Sequence, residues 1–291
     1  MAEPTTARSW TAWLLAAPAI AYLTAFTLIP VGLLLTVSFW KSGIYGTTPD
    51  FNFGNYVRAL AVPLYRDQLI KTIRIALTTT AISFLISYPA ALYISGLKGR
   101  LKSMLVVLLF LPFWTSFVVR TFLWLPILGR TGLINQSLIW LGLIDQPLEF
   151  LLYNEGAVLV GLVYVFTLFM TLPIYLSLDK IDPALHEAAN DLGAPPLQAF
   201  WRVTLPLSRP GIVSGSIMVF LMSIGSYVTP QLLGGPSGNM YGNVIASQFL
   251  ANNNWAFGGA LSVILIVVVL VGLMITRRWI GTREIFLGGG A

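Results

Sequence analysis

The sequence predicts an all-α, polytopic membrane protein with six transmembrane helices, and three observations predict it. The chain of 291 residues is 56% hydrophobic, with a mean hydropathy of +0.80. Only 10% of its residues are charged, where a soluble domain carries about a quarter. The apolar residues fall into six runs, each near the ~20 residues of helix that cross a ~30 Å hydrocarbon core. Residues 1–291 read as a single transmembrane domain, with no internal repeat and no appended soluble domain.

The first run, Trp13–Phe39, is too long for the roughly 7–15-residue core of a secretory signal and reads as an uncleaved helix. The next are Ile75–Leu97, Met104–Leu128, Ala157–Leu178, Gly211–Leu233 and Gly259–Ile275. Pro30, Pro89, Pro112 and Pro173 fall inside them; membrane helices tolerate proline where neighbouring helices satisfy the freed backbone groups. Between the runs, residues 40–70 mix aromatic and turn residues, and 129–156 carry Asp145, Glu149 and Glu155. Residues 234–258 carry no charge but include Tyr241, Trp255 and Asn252-Asn253-Asn254. Trp10, Trp13, Trp40 and Trp279 flank runs, where tryptophan anchors at the membrane interface.

The net charge of +6 does not point to nucleic acid, because the basic residues cluster at the ends of apolar runs, where anionic lipid headgroups attract them. With the N-terminus inside, the cytoplasmic segments hold Arg8; Lys98, Arg100 and Lys102; Lys180, Arg202 and Arg209; and Arg277, Arg278 and Arg283. Lys41, Arg58, Arg66 and Arg130 fall outside. The positive-inside bias therefore places both termini in the cytoplasm. The chain has no cysteine, which excludes disulfides, thiolate metal sites and cysteine nucleophiles. It has no Gly-x-x-x-x-Gly-Lys-Ser/Thr loop to cradle ATP phosphates. Its single histidine, His186, has no ligand constellation around it and reads as a surface residue.

The loop between the fourth and fifth runs, residues 179–209, is then cytoplasmic. Asp182-Pro183 is a helix start, a carboxylate N-cap followed by proline at the first helical position. Ala184, Leu185, Ala188, Ala189 and Leu192 form one apolar stripe, and Gly193 fits a left-handed C-cap. Pro195-Pro196 forbids continuation and starts a second short helix, through Phe200-Trp201, that ends at Leu205-Pro206. Periodicity alone also allows an amphipathic helix lying on the membrane.

The spacing of this loop carries a resemblance. Glu187-Ala188-Ala189, three residues, Gly193, nine residues, then Val203-Thr204-Leu205-Pro206 is similar to the "EAA" loop of binding-protein-dependent ABC importers, with Val203 replacing isoleucine. Leu111-Pro112-Phe113-Trp114-Thr115 with Arg120, Gly161-Leu162-Val163-Tyr164, Leu172-Pro173-Ile174-Tyr175, Tyr227 to Gly235 and Gly242-Asn243-Val244-Ile245 resemble spermidine/putrescine permeases of the B-type subunit, over about residues 69–276. The resemblance implies the type I ABC importer permease fold in a bacterial inner membrane. It implies as partners a second permease subunit, two ATPase subunits and an extracytoplasmic substrate-binding protein. No cofactor is expected in this chain; ATP and Mg belong to the ATPase. Glu187, Ala188, Ala189, Asp191, Gly193, Leu205 and Pro206 would form the contact with the ATPase.

For substrate, the resemblance implies a polyamine. One departure bears on it: members of the group often carry an acidic residue where Ser226, Pro230 or Gln231 stand here. A zwitterionic solute such as an aminoethylphosphonate, a betaine- or sulfonium-type osmolyte or an opine is the competing reading. Trp114, Arg120, Tyr227, Gln231 and Trp255 are the candidates for the pathway. Arg120 is an intramembrane charge, a functional-site signal by default; the alternative is an arginine that snorkels or ties broken helix ends. Pro230 with Gly234-Gly235 predicts a break in the fifth run near the outer face, and unwound backbone at that depth belongs beside a cavity; the alternative is a plain loop start. Trp114 is read either as facing the pathway or as an interfacial anchor. A membrane-embedded enzyme would need a carboxylate or histidine pair at membrane depth, and a stand-alone channel or secondary transporter would need intramembrane ion-binding carboxylates or inverted repeats. The sequence offers none of these.

Overall fold

Backbone facing lipid must satisfy its own N–H and C=O groups, and long apolar runs do so as helix. The structure, a computed structural model, describes residues 6–43 and 46–279, with side chains described over 15–43 and 46–275. Helix α1 (Thr6–Leu23) passes through a π-turn at Thr24–Leu28 into α2 (Ile29–Ser38). A small antiparallel pair, β1 (Lys41–Gly43) and β2 (Gly46–Thr48), sets Lys41 opposite Thr48. There follow α3 (Gly54–Ala61), α4 (Pro63–Gly96), α5 (Gly99–Phe110), α6 (Phe117–Phe122), α7 (Trp124–Leu128), α8 (Leu133–Trp140) and α9 (Glu155–Asp179). The chain continues as α10 (Pro183–Asp191), α11 (Pro196–Ala199), α12 (Leu205–Ile224), α13 (Val228–Leu233), α14 (Gly235–Gly238), α15 (Tyr241–Leu250) and α16 (Trp255–Trp279).

Among the described residues, six helical stretches are long and apolar enough to cross a membrane: Leu15–Ser38, Pro63–Gly96, Phe117–Trp140, Glu155–Asp179, Pro196–Ile224 and Trp255–Ile275. Two boundaries differ from the sequence reading for physical reasons. The third run is not one helix: α5 ends at Phe110, a 3-10 turn covers Leu111–Trp114 around Pro112, and Thr115 and Ser116 are extended before α6 starts. The fifth run ends earlier, at Ile224, and begins earlier. The second helix of the loop does not stop at Leu205-Pro206, because a π-turn at Phe200–Thr204 lets the Leu205 N–H bond to the Phe200 carbonyl. The widened turn takes up the proline ring and the helix continues.

The chain divides into two compact units, Met1–Pro63 with Ile245–Val267 and Leu64–Val244 with Val268–Ala291. In the first, Gly259 lets α16 approach α2 so closely that a Cβ there would lie 3.2 Å from the Leu34 carbonyl oxygen. Asn55 Nδ2 donates to the Ser38 and Trp40 carbonyls, both at 2.9 Å, and the Arg58 guanidinium sits 4.6 Å from the Phe257 ring centre. Trp40, expected at the interface, has its indole nitrogen buried without a partner. Trp10, Trp13, Trp279, Arg8, Arg277, Arg278 and Arg283 lie outside the described side chains.

In the second unit α9 is the core. Val158, Leu162, Met170 and Ile174 are fully buried, and α12 lies against them through Gly211 and Gly215. A Cβ on Gly211 would meet the Pro173 carbonyl oxygen at 2.4 Å, and one on Gly215 would meet Met170 at 3.0 Å. Four residues apart, the two glycines share a face and let the helix backbones touch, the small-residue packing of membrane helices. Hydroxyls join α4 to the same helix: Thr171 Oγ1 donates to Ser87 Oγ at 2.8 Å, and Ser87 Oγ to the Thr167 carbonyl at 3.0 Å. Tyr88 and Ser208 hydroxyls, 3.1 Å apart, tie α4 to α12. Ion pairs hold both ends of α9, Arg74 to Glu155 at 2.7 Å and Lys102 to Asp179 at 2.5 Å.

Candidate functional site

The loop after α9 folds into a knob. Asp182 Oδ1 accepts a hydrogen bond from the Ala184 N–H at 2.9 Å, and Pro183 opens α10. At its other end Gly193 takes φ +74°. The Gly193 N–H donates to the Asn190 carbonyl at 2.8 Å and the Ala194 N–H to the Ala189 carbonyl at 3.0 Å, the paired bonds of a Schellman stop. Glycine is needed there because other residues strain at positive φ. His186, read from sequence as a surface residue, is half-buried: its Nε2 lies 2.9 Å from the buried Thr204 Oγ1 and binds α10 back onto the foot of α12.

That anchor fixes what the knob presents. Glu187, Ala188, Asp191 and Gly193 are exposed and Ala189 is half-buried. Leu192 is 88% exposed, Leu197 70% and Trp201 60%. Leu205 and Pro206 differ from this group: both are half-buried at the start of α12, and Leu205 packs against the core. Beside the knob, the Lys102 ammonium is held above its ordinary pKa by its hydrogen bond to Asp179.

A second candidate region lies at the break in the fifth run. Helix α12 stops at Gly225, and Tyr227 (φ −128°, ψ −40°) leaves helical geometry before α13 begins. The break therefore precedes Pro230, which sits in the first turn of α13, where its missing N–H is not needed. Asn243 holds the break: its Nδ2 donates to the Tyr227 carbonyl at 3.0 Å and to Gln231 Oε1 at 3.1 Å, and its Oδ1 accepts from the Met240 N–H at 3.1 Å. On the other side α13 presses on Gly161, where a Cβ would meet Leu233 Cδ1 at 2.7 Å and Thr229 Cγ2 at 2.8 Å.

Beside the break is an open cavity of about 450 Å³, lined by Arg120 of α6, Phe117, Phe166, Phe169, Ser226 and Tyr227 among others. Of the sequence-predicted pathway residues it brings together Arg120 and Tyr227. Arg120 is buried at 8% exposure and its Nε has no partner. Gln231 is exposed and acts on the break through Asn243. Trp114 is 81% exposed and does not line this cavity. Trp255 belongs to the first unit, where its ring packs edge-on to Phe249 at 5.4 Å and its Nε1 donates to Asn253 Oδ1 at 2.9 Å. Sequence reasoning missed Asn243, whose one signal is a polar amide in an otherwise apolar, small-residue stretch.

Residues 83–283 match the family model described as "Binding-protein-dependent transport system inner membrane component". The chain is 36% identical over 265 residues to the spermidine/putrescine transport system permease protein PotB of Escherichia coli (strain K12), covering 91% of this chain and 95% of that protein. It is 38% identical over 259 residues to the protein of the same name in Haemophilus influenzae, covering 89% and 90%. A crystal structure of a bacterial ABC transporter involved in the import of the acidic polysaccharide alginate superposes on 93% of the chain with a TM-score of 0.69 at 21% identity, which bears on fold alone.

Proposed function

Because the chain belongs to the family of binding-protein-dependent transport system inner membrane components, we propose that it couples a separate ATPase to passage of a small organic amine through its six helices. It is a multi-pass inner-membrane permease subunit, not an enzyme. The observation that carries the coupling is the knob at 182–201: capped at both ends, anchored through His186 to the helix that leads into the cavity wall, and presenting Leu192, Leu197 and Trp201 outward. A groove on a soluble chain would cover these apolar residues, with Glu187 offering a charge-assisted hydrogen bond across the contact. Nucleotide and Mg would be held by that chain, two copies serving this permease and a second one. An extracytoplasmic binding protein would deliver the solute, and closure of the ATPases would open the pathway outward by moving the knob. The polyamines named for the relatives head the solutes to be assayed.

The experiment is purification of the tagged chain in mild detergent, followed by uptake into proteoliposomes with binding protein. A co-purifying ATPase and uptake that needs internal ATP are expected. Recovery of the chain alone, carrying solute without ATP, would support a stand-alone transporter instead.

Topology follows from the same reading. Both termini and the knob should face the cytoplasm, with 234–258 outside. In a chain without cysteine, Ser237→Cys should react with an impermeant thiol reagent on intact cells and Ala194→Cys should not; the reverse labelling would invert the topology.

The break should matter to transport and not to capture. Asn243→Ala removes two donated bonds and one accepted bond around Tyr227, and should lower uptake about tenfold or more, since each buried hydrogen bond contributes roughly 1 kcal/mol. Tyr227→Ala should act similarly and Gln231→Ala less, with solute affinity of the binding protein unchanged in all three. Trp255→Ala should have the mildest effect. Full uptake by both Asn243→Ala and Tyr227→Ala would reduce the break to a connector.

A further inference from the structure

Resting on the reading of the knob as the ATPase contact, we infer that Tyr88 of α4 is a positioning residue for coupling. It braces the foot of α12, so that the knob, α4 and α12 move as one lever. The foot, residues 200–210, is the weak part of that lever. At the π-turn Phe200–Thr204 the Leu205 N–H reaches back to the Phe200 carbonyl in place of α-helical bonding. Pro206 and Pro210 follow, four residues apart, and neither has an N–H to give to the turn before it. The Pro206 carbonyl therefore receives no α-helical bond from residue 210. Helices bend at prolines and at π-turns, and this foot has both. Just above it α12 is held hard against α9 at Gly211 and Gly215. A push on the knob would bend the foot before it moved α12, unless side chains stiffen the joint.

Tyr88 supplies that stiffness from outside the helix. Its ring meets Phe200 edge-on, with centres 5.9 Å apart, at the start of the π-turn. Its hydroxyl lies 3.1 Å from Ser208 Oγ, beyond Pro206. Ser208 Oγ gives its single proton to the Leu205 carbonyl at 3.0 Å, so the Tyr88 O–H is the donor between them. One side chain thus grips the foot on both sides of Pro206. His186 adds a third tie at Thr204.

The brace is itself anchored. Ser87, next along α4, is bonded to Thr171 and to the Thr167 carbonyl of α9. Tyr88, Thr204 and Ser208 are buried within this chain, which makes the brace independent of a second permease subunit.

The test uses the whole purified importer with its binding protein in proteoliposomes. Spin labels on Asn190→Cys, exposed on the knob, and Met218→Cys, exposed on α12, report their separation in a chain with no other cysteine. In the wild-type background the distance distribution should be narrow and the same with nucleotide absent and with ATP trapped by vanadate. Tyr88→Leu, which removes both grips, should broaden it and make it depend on nucleotide. The second readout, without labels, is solute accumulated per ATP hydrolysed, from an offered mixture of putrescine, spermidine and glycine betaine. Tyr88→Phe keeps the ring contact and loses the hydroxyl bond, and should lower this ratio about fivefold, the worth of one buried hydrogen bond. Tyr88→Leu should lower it further. Tyr88→Phe added to Ser208→Ala should lower it no further than Ser208→Ala alone, because both remove the same bond. Pro210→Ala returns an N–H to the Pro206 carbonyl and should restore part of the ratio to Tyr88→Phe. If Tyr88→Leu does not assemble, Tyr88→Phe and Ser208→Ala decide the matter. A wild-type distance that shifts on trapping ATP would overturn the inference, as would wild-type ratios in the Tyr88 variants. A fall in membrane abundance at an unchanged ratio would make Tyr88 a packing residue only and overturn it equally. Absence of ATP hydrolysis from the purified wild-type complex would overturn the coupling reading as well.

Discussion

Gly193→Pro should abolish coupled uptake while leaving the chain inserted in the membrane. The native φ of +74° is closed to proline, whose ring fixes φ near −65°. The substitution also deletes the Gly193 N–H that donates to the Asn190 carbonyl. The Schellman stop cannot form, and the angle between α10 and α11 is lost. Glu187→Arg reaches the same end by another route, placing the wrong charge on an exposed contact without altering the fold of the knob. Uptake in both variants should fall about 100-fold or more, equivalent to roughly 3 kcal/mol of lost coupling, with ATP hydrolysis persisting but indifferent to solute. Gly193→Ala, which can strain into positive φ at about 1–2 kcal/mol, should be intermediate. Solute-stimulated transport at wild-type levels in both Gly193→Pro and Glu187→Arg would remove the knob from the mechanism.

Gly211→Leu should prevent the chain from folding. An added Cβ would lie 2.4 Å from the Pro173 carbonyl oxygen and 2.7 Å from Ser177 Oγ. The first is backbone of α9 and cannot rotate away. Overpacking a tight contact costs about 1–3 kcal/mol, and forcing two helix backbones apart puts this site at or above the top of that range. Membrane abundance and the thermal midpoint of the complex in detergent should both drop. Gly215→Leu should follow, more mildly, against Met170 at 3.0 Å. Gly272→Leu is the control, since its Cβ meets nothing closer than Phe220 at 4.0 Å. Equal abundance of all three variants would show that α9 and α12 are not held by these glycines.

The sequence made the helices and the knob legible because both are written in local chemistry. Apolar runs set the spans, and Asp182, Pro183 and Gly193 act on the backbone within a few residues of themselves. The breaks were less legible. Pro112 and Pro206 look alike in sequence, yet one ends a helix and the other is absorbed by a π-turn at Phe200–Thr204, an outcome decided by the surrounding packing. What was illegible is long-range: the Gly211–Gly215 face against α9, the Ser87–Thr171 bond, and Asn243 clamping a turn 16 residues away in sequence. Of the pathway candidates, Arg120 and Tyr227 meet in one cavity, while Trp114 and Trp255, chosen for chemistry alone, do not line it.

Coupling requires the knob to meet an ATPase, and a photo-crosslinker tests that contact directly. A benzophenone side chain at Leu192, the most exposed apolar position of the knob at 88%, should leave the fold undisturbed. Irradiation of native membranes should join this chain to a soluble nucleotide-hydrolysing chain in high yield, and the yield should change when ATP is trapped on that chain. Adducts with lipid alone, at Leu192 and equally at Leu197, would mean that the knob lies on the membrane and transmits no force.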